Sequence, residues 1–266
     1  MMYTLFMNLH ISQKSIIQLF IFISFLLISC SSIVASGYED SDVQSIYSSN
    51  QFIAFYDLIY NAAPASQIEK NYILLIKWID STPCTHGSQT ICKARASLVL
   101  GKQYILEKYC KDYTKAKEYL SQGLKLLAGT KQKNPSIEYL LVEGEIYGTY
   151  FLMDKHKYLF SYGVKANNIT QAVWEKNKHN PRSIILKSNQ LIYTPAFFGG
   201  NTKKARVLLL NLLKEELLPS DMFTIYSSLG LIEAKNHNET LADTYYIRAK
   251  EIYPYNAYIK ELRSKL

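Results

Sequence analysis

The chain has 266 residues, 48% of them hydrophobic and 20% charged, with a net charge of +8. That composition excludes a disordered chain and allows one or two domains with a real core. Only 11 glycines and 7 prolines stand against 22 tyrosines. Few backbone breakers and many large semi-polar side chains suit stacked helices better than turn-rich sheets. The basic excess is spread out, Lys203-Lys204 being the nearest approach to a cluster. No nucleic-acid partner is therefore expected.

Lys14 precedes an apolar run from Ile16 to Ile28. The run is too short to cross a bilayer comfortably and matches the core of an export signal. It ends in Leu27-Ile28-Ser29-Cys30, which resembles a bacterial lipobox. The resemblance implies a signal peptide over 1–29, lipidation of Cys30, and a mature protein anchored by lipid and facing the periplasm or the cell surface. A secretory cut near Ala35-Ser36-Gly37, leaving a soluble secreted protein, is the other reading of these residues. Residues 30–42 are small and polar, which predicts a flexible tether.

Over 43–90 the sequence predicts an N-terminal helical pair and a cysteine loop. Phe52, Phe55, Tyr56 and Ile59 recur at helical spacing within 43–62, as do Ile73, Leu74, Ile76 and Trp78 within 66–80. Cys84 and Cys92 flank "THGSQTI". A disulfide in an oxidising compartment, two free thiols, or a metal site with His86 are all open, the last lacking a fourth ligand.

From 91 to 266 the chain repeats itself. The clearest copy, "IYSSLGLIEAKNHNETLADTYYIRAKEIYPYN", carries Leu229, Gly230, Ala242, Tyr246, Ala249 and Pro254. Earlier copies carry Ala205 and Leu209; Ile169 and Val173; and Ala116, Leu120 and Gly123. Small positions let two helices approach closely while a large side chain fills the hole between them. Equivalent positions fall at 116, 169, 205 and 242, so the last two spacings are near one repeat and the first needs an insertion, placed at the turn 152–163. First helices are predicted near 91–108, 136–153, 183–194 and 221–235, with a capping helix over 256–266.

This order of residues resembles the tetratricopeptide repeat, with Glu233 departing from the aromatic usual at its position. The resemblance implies an all-α solenoid of antiparallel helix pairs whose first helices line a concave groove. In that register the candidate groove positions are Ile185, Ser188, Ile192, Thr224, Ser227 and Leu231, with Tyr147 and Tyr150 beside them. The connector Pro195-Ala-Phe197-Phe198-Gly199-Gly200 resembles one found in bacterial envelope proteins of this kind, including the lipoprotein components of tripartite ATP-independent periplasmic (TRAP) transporters. It reads either as a structural turn or as a loop facing a ligand.

Catalytic signatures are missing. No His-Glu-x-x-His or Gly-x-Ser-x-Gly occurs, and Gly101-Lys102 lacks the glycine-rich loop of a phosphate site. Glu143 and Glu145, two apart, point different ways on a helix. The sequence therefore predicts no enzyme, no catalytic residue, no cofactor and no metal. The expected function is an exported scaffold presenting a groove to an envelope protein or peptide. The alternative is an accessory ligand-binding component of a TRAP-type solute uptake system, with a small apolar ligand and a homo-oligomeric state. An envelope hydrolase would need titratable residues gathered in one cleft.

Overall fold

Short polar caps separate long apolar-faced segments, and the computed structural model shows helix after helix accordingly. It describes residues 41–106, 111–130, 135–194, 196, 199–256 and 259, and among these no strand occurs. The helices are α1 (Ser41–Tyr47), α2 (Asn50–Tyr60), α3 (Ala65–Ser81), α4 (His86–Gln103), α5 (Tyr113–Gly129) and α6 (Ile137–Met153). A short α7 (Lys155–Tyr158) and a π-helical turn (Leu159–Gly163) then lead into α8 (Val164–Lys176). The last four are α9 (Pro181–Tyr193), α10 (Thr202–Leu212), α11 (Pro219–Lys235) and α12 (Glu239–Ile252).

Local chemistry sets most of these boundaries. The side chains of Ser49, Thr85, Asp112, Ser136, Asn180 and Asn201 each accept a backbone N–H at the start of a helix. Each thereby satisfies a donor that has no partner inside the helix. Pro181 and Pro219 occupy the first turns of α9 and α11, where a missing N–H costs nothing. Gly199, with φ of 91°, is the connector glycine in the left-handed region. The Asn201 amide then donates back to the Leu191 carbonyl at 2.8 Å, closing that turn.

Several boundaries differ from the sequence expectation. The segment 43–62 is two helices, because Ser48–Ser49 interrupt it and Ser49 caps a new start. Helix α1 begins at Ser41, inside the expected tether. The expected cysteine loop is largely helical, since Thr85 caps α4 and starts it at His86. Cys92 sits buried seven residues past that cap, about 10 Å along the helix. Cys84 is half-buried ahead of the cap, and the two are not joined in a disulfide. The insertion at 152–163 is helical too, as α7 and the π turn. Cys30, Cys110, Pro195, Phe197 and Phe198, and nearly all of the expected capping helix, lie outside the described residues.

Successive helices pack in pairs: α4 with α5, α6 with α8, α9 with α10, and α11 with α12. Ala116, Leu120, Ala205, Leu209, Leu229, Ala242, Tyr246 and Ala249 are all buried at these seams, as the small-large alternation requires. Pro254 is exposed just past the end of α12. A shared device appears at three crossings. A Cβ at Gly230 would lie 2.6 Å from Tyr246 Cδ1, one at Gly144 would lie 2.8 Å from Ile169 Cγ2, and one at Gly101 would lie 3.1 Å from Leu120 Cγ. In each pair a first-helix glycine opens room for a large second-helix side chain. Between pairs, Gly123 of α5 takes the Ile146 side chain, where a Cβ would meet Cδ1 at 2.9 Å. The chain is thus all-α and helical-repeat-like.

Candidate functional site

The first helices of the pairs (α4, α6, α9, α11) turn toward the inside of the molecule, and there the sequence places charges that the packing buries completely. Arg95 and Lys102 lie seven residues apart on α4, and Glu138 and Glu145 seven apart on α6. Seven residues are close to two helical turns, so each pair shares a face. Arg95 Nη1 donates to Glu145 Oε2 at 2.5 Å, and Arg95 Nη2 reaches Glu138 Oε2 at 3.4 Å. Arg182 of α9 donates to the same Glu138 oxygen at 2.6 Å. Lys102 Nζ stands 3.9 Å from Glu145 Oε2. The result is a row of alternating sign: Lys102, Glu145, Arg95, Glu138, Arg182.

The row is closed from the other side by α1. The Tyr47 ring lies under both guanidinium groups, 4.7 Å from Arg182 and 5.9 Å from Arg95. Cation–π contacts strengthen when both groups are desolvated, as these are. Helix α2 continues the cover toward α11 and α12. The Tyr60 ring stacks on Tyr253 at 4.3 Å and meets Phe223 edge-on at 5.2 Å. The Asn256 side chain donates to the Tyr60 carbonyl at 2.9 Å. The inner face is therefore occupied by the chain's own N-terminal helices.

The electrostatics follow from burial. Desolvation would lower the Arg95 and Arg182 pKa values, but the neighbouring glutamates outweigh it and hold both guanidinium groups charged. At Lys102 desolvation wins over Glu145, and the ammonium falls well below its usual range. Asp221 at the start of α11 is 0% exposed, and neither of its oxygens accepts a hydrogen bond. Burial pushes this carboxyl well above its usual range, against the pull of Arg182. The Nε and Nη2 edge of Arg182 and the Oε1 of Glu138 are likewise unmet. Such groups cost about 1–3 kcal/mol each when nothing bridges them.

Asp221 carries a pH prediction. A carboxyl whose folded pKa is raised binds its proton more tightly in the folded state. Its contribution is therefore intact below the unfolded pKa and is lost as pH rises through the folded value. The Asp221→Asn variant is expected to lose this slope and to exceed the wild type at neutral pH by on the order of 1 kcal/mol. Urea midpoints across a pH series measure it, and parallel profiles for the two proteins would contradict it.

The groove positions come out differently from the open trough the sequence suggested. Ile185, Ser188, Ile192, Thr224, Ser227 and Leu231 are all buried. Of these, Thr224 hydrogen-bonds the Tyr60 side chain of α2, so there the chain's own N-terminal helix takes the expected trough. Tyr147 and Tyr150 sit elsewhere, in a tyrosine cluster with Tyr158 and Tyr162 beside the π turn. Sequence reasoning misses Arg95, Glu138, Arg182 and Asp221 altogether, and takes Lys102 only as a phosphate-loop fragment beside Gly101. It sets Glu145 apart from Glu143, which holds, but does not see that Glu138 is its companion through Arg95. The signal available is two pairs of opposite sign at the same seven-residue spacing on consecutive first helices.

Among the described residues no group of three His, Cys, Asp or Glu is placed to hold a metal ion, and no helix is long and apolar enough to cross a membrane. No family model matches the chain, and comparison with the curated proteins and with the solved structures gives no significant match.

Proposed function

We propose that this chain is a non-catalytic, tetratricopeptide-like binding module, exported and anchored through an acylated Cys30, that engages an envelope protein by accepting an aromatic-bearing helix on the inner face of its first helices. One observation carries the reading. The inner face already holds such a helix, because α1 and α2 lie on it through Tyr47 against Arg95 and Arg182 and through Tyr60 against Phe223. A surface that seats one Tyr ring over buried guanidinium groups and another against Phe223 is complementary to another amphipathic helix of the same pattern. Rigid flanking helices keep the ordering cost of that exchange low.

The test is photo-crosslinking in native membranes, with a photoreactive residue at Thr224 of the full acylated chain. Crosslinks to a second polypeptide, through an aromatic-bearing helical segment, are expected beside intramolecular crosslinks to α2. Intramolecular crosslinks alone would overturn the reading.

A second reading, the ligand-binding accessory of a solute uptake system, is supported by the unmet Arg182 edge and Asp221 carboxyl. Their donors and acceptors suit a small polar species in the interior. Native mass spectrometry of the gently extracted protein decides for it if a bound small molecule disappears in Arg182→Met, and against it if none is carried.

A further inference from the structure

Away from the inner face, the turn between α6 and α8 presents an unusual surface. Residues 155–165, "KHKYLFSYGVK", contain three lysines, a histidine and three aromatic residues, and no acidic residue occurs from Lys155 to Trp174. The structure splits the described side chains among them between two faces. Tyr158 and Tyr162 turn inward and meet the α6 tyrosines, with Tyr162 stacked 4.9 Å from Tyr150 and 5.5 Å from Tyr147. Lys157, Phe160, Val164 and Lys165 face outward. Phe160 is 87% exposed and Val164 46%, which is high for such large apolar side chains.

The π turn makes this split. One extra residue per turn rotates the helix between α7 and α8, a distortion that is rare and clusters at functional positions. Gly163 lets the turn press against α6, since a Cβ there would lie 3.1 Å from Phe151 Cδ2. Lys165 Nζ lies 5.1 Å from the Tyr147 ring centroid and Lys157 Nζ lies 5.4 Å from that of Tyr158, so both ammonium groups lie over rings of the tyrosine cluster on the turn that carries the protruding Phe160. The acidic residue nearest in sequence, Asp154, is turned onto the start of α7, where it accepts the Lys157 amide, and Glu143 of α6 is engaged by the Tyr147 hydroxyl.

We infer that this turn docks on the surface of an anionic lipid bilayer, with Phe160 entering the headgroup region and Lys157 and Lys165 pairing with lipid phosphates. The chemistry favours a bilayer over a protein. Phe160 and Val164 alone expose far less apolar area than the roughly 800 Å² per partner of a stable protein interface. An aromatic wedge flanked by lysines meets the needs of a charged lipid surface, where each nearby lysine adds electrostatic attraction. The inference does not depend on Cys30 or on what the inner face binds.

The test uses the full chain carrying Phe160→Trp, read as a difference from the wild type so that Trp78 and Trp174 cancel. With mixed phosphatidylglycerol–phosphatidylcholine vesicles, the added emission is expected to shift to the blue and to be quenched by brominated acyl chains. The shift is expected to reverse at about 1 M salt, where screening shortens to about 3 Å. Adding Lys157→Glu and Lys165→Glu is expected to raise the lipid concentration for half-maximal shift by about tenfold or more. All variants share the same N-terminus, so a lipid or signal anchor cannot produce the differences, and far-UV circular dichroism checks their fold. Water-like emission from the introduced indole with anionic vesicles, or equal shifts with neutral and anionic ones, overturns the inference, as does a face that binds protein and ignores lipid.

Discussion

Replacing Arg95 by alanine is expected to lower unfolding stability by about 3–5 kcal/mol, the cost of breaking a buried ion pair from one side. Arg95 is 0% exposed and joins two carboxylates, Glu145 at 2.5 Å and Glu138 at 3.4 Å. Without it, Glu145 keeps only Lys102 at 3.9 Å, and Glu138 keeps only Arg182. Two buried negative charges would then share weakened compensation, and Tyr47 would lose one of its two cationic neighbours. A domain of ordinary stability has only about 5–15 kcal/mol in total, so the variant should unfold cooperatively at much lower urea. Converting Glu145 to glutamine in the same background should recover part of the loss, because it removes the charge left without its partner. A single-variant loss under about 1 kcal/mol would mean that water already solvates the row.

Tyr60→Ala is expected to cost about 3–5 kcal/mol, in the range of large aromatic truncations in cores. The ring is buried between Tyr253 and Phe223, with Tyr56 a third neighbour at 6.5 Å. The loss falls on a long-range contact, since Tyr60 and Tyr253 sit at opposite ends of the described chain. Hydrogen exchange should therefore show α1 and α2 opening first, while the α11–α12 pair, whose seam lies at Gly230 and Tyr246, keeps its protection. Uniform loss of protection across all helices would indicate that α2 is part of one indivisible core. Either pattern bears on the proposed exchange of helices, which requires α1 and α2 to leave without unfolding the pairs.

The helix pairs are legible in the residues because their determinants are local. Ala242, Tyr246 and Ala249 with Gly230 state the packing of one pair in a single stretch, and Asn180-Pro181 and Asn201 mark where helices begin. Two of the three glycine crossings are less visible. Gly101 reads in sequence only as a fragment of a phosphate loop, and Gly144 has its partner Ile169 across the helical insertion at 152–163. The insertion reads as a turn because only the long spacing from 116 to 169 reveals it, whereas Asp154 starts α7 and Gly163 ends the π turn.

By itself the sequence determined an all-α chain of small-large helix pairs, since periodicity, caps and glycine placement act within a few residues of one another. Only the tertiary structure decided that the inner face is covered. Phe52, Phe55 and Tyr56 announce an apolar helix but not its destination, because a ring buries equally well against any complementary surface. The destination depends on Phe223 and Tyr253, which receive Tyr60 of α2, and on Arg95 and Arg182, which receive Tyr47 of α1. The same holds for the charge row, where Arg95 and Glu145 stand fifty positions apart and neither looks unusual alone. Charges in water favour solvation, and it takes the assembled interior, with each charge answered by its opposite, to make their burial tolerable.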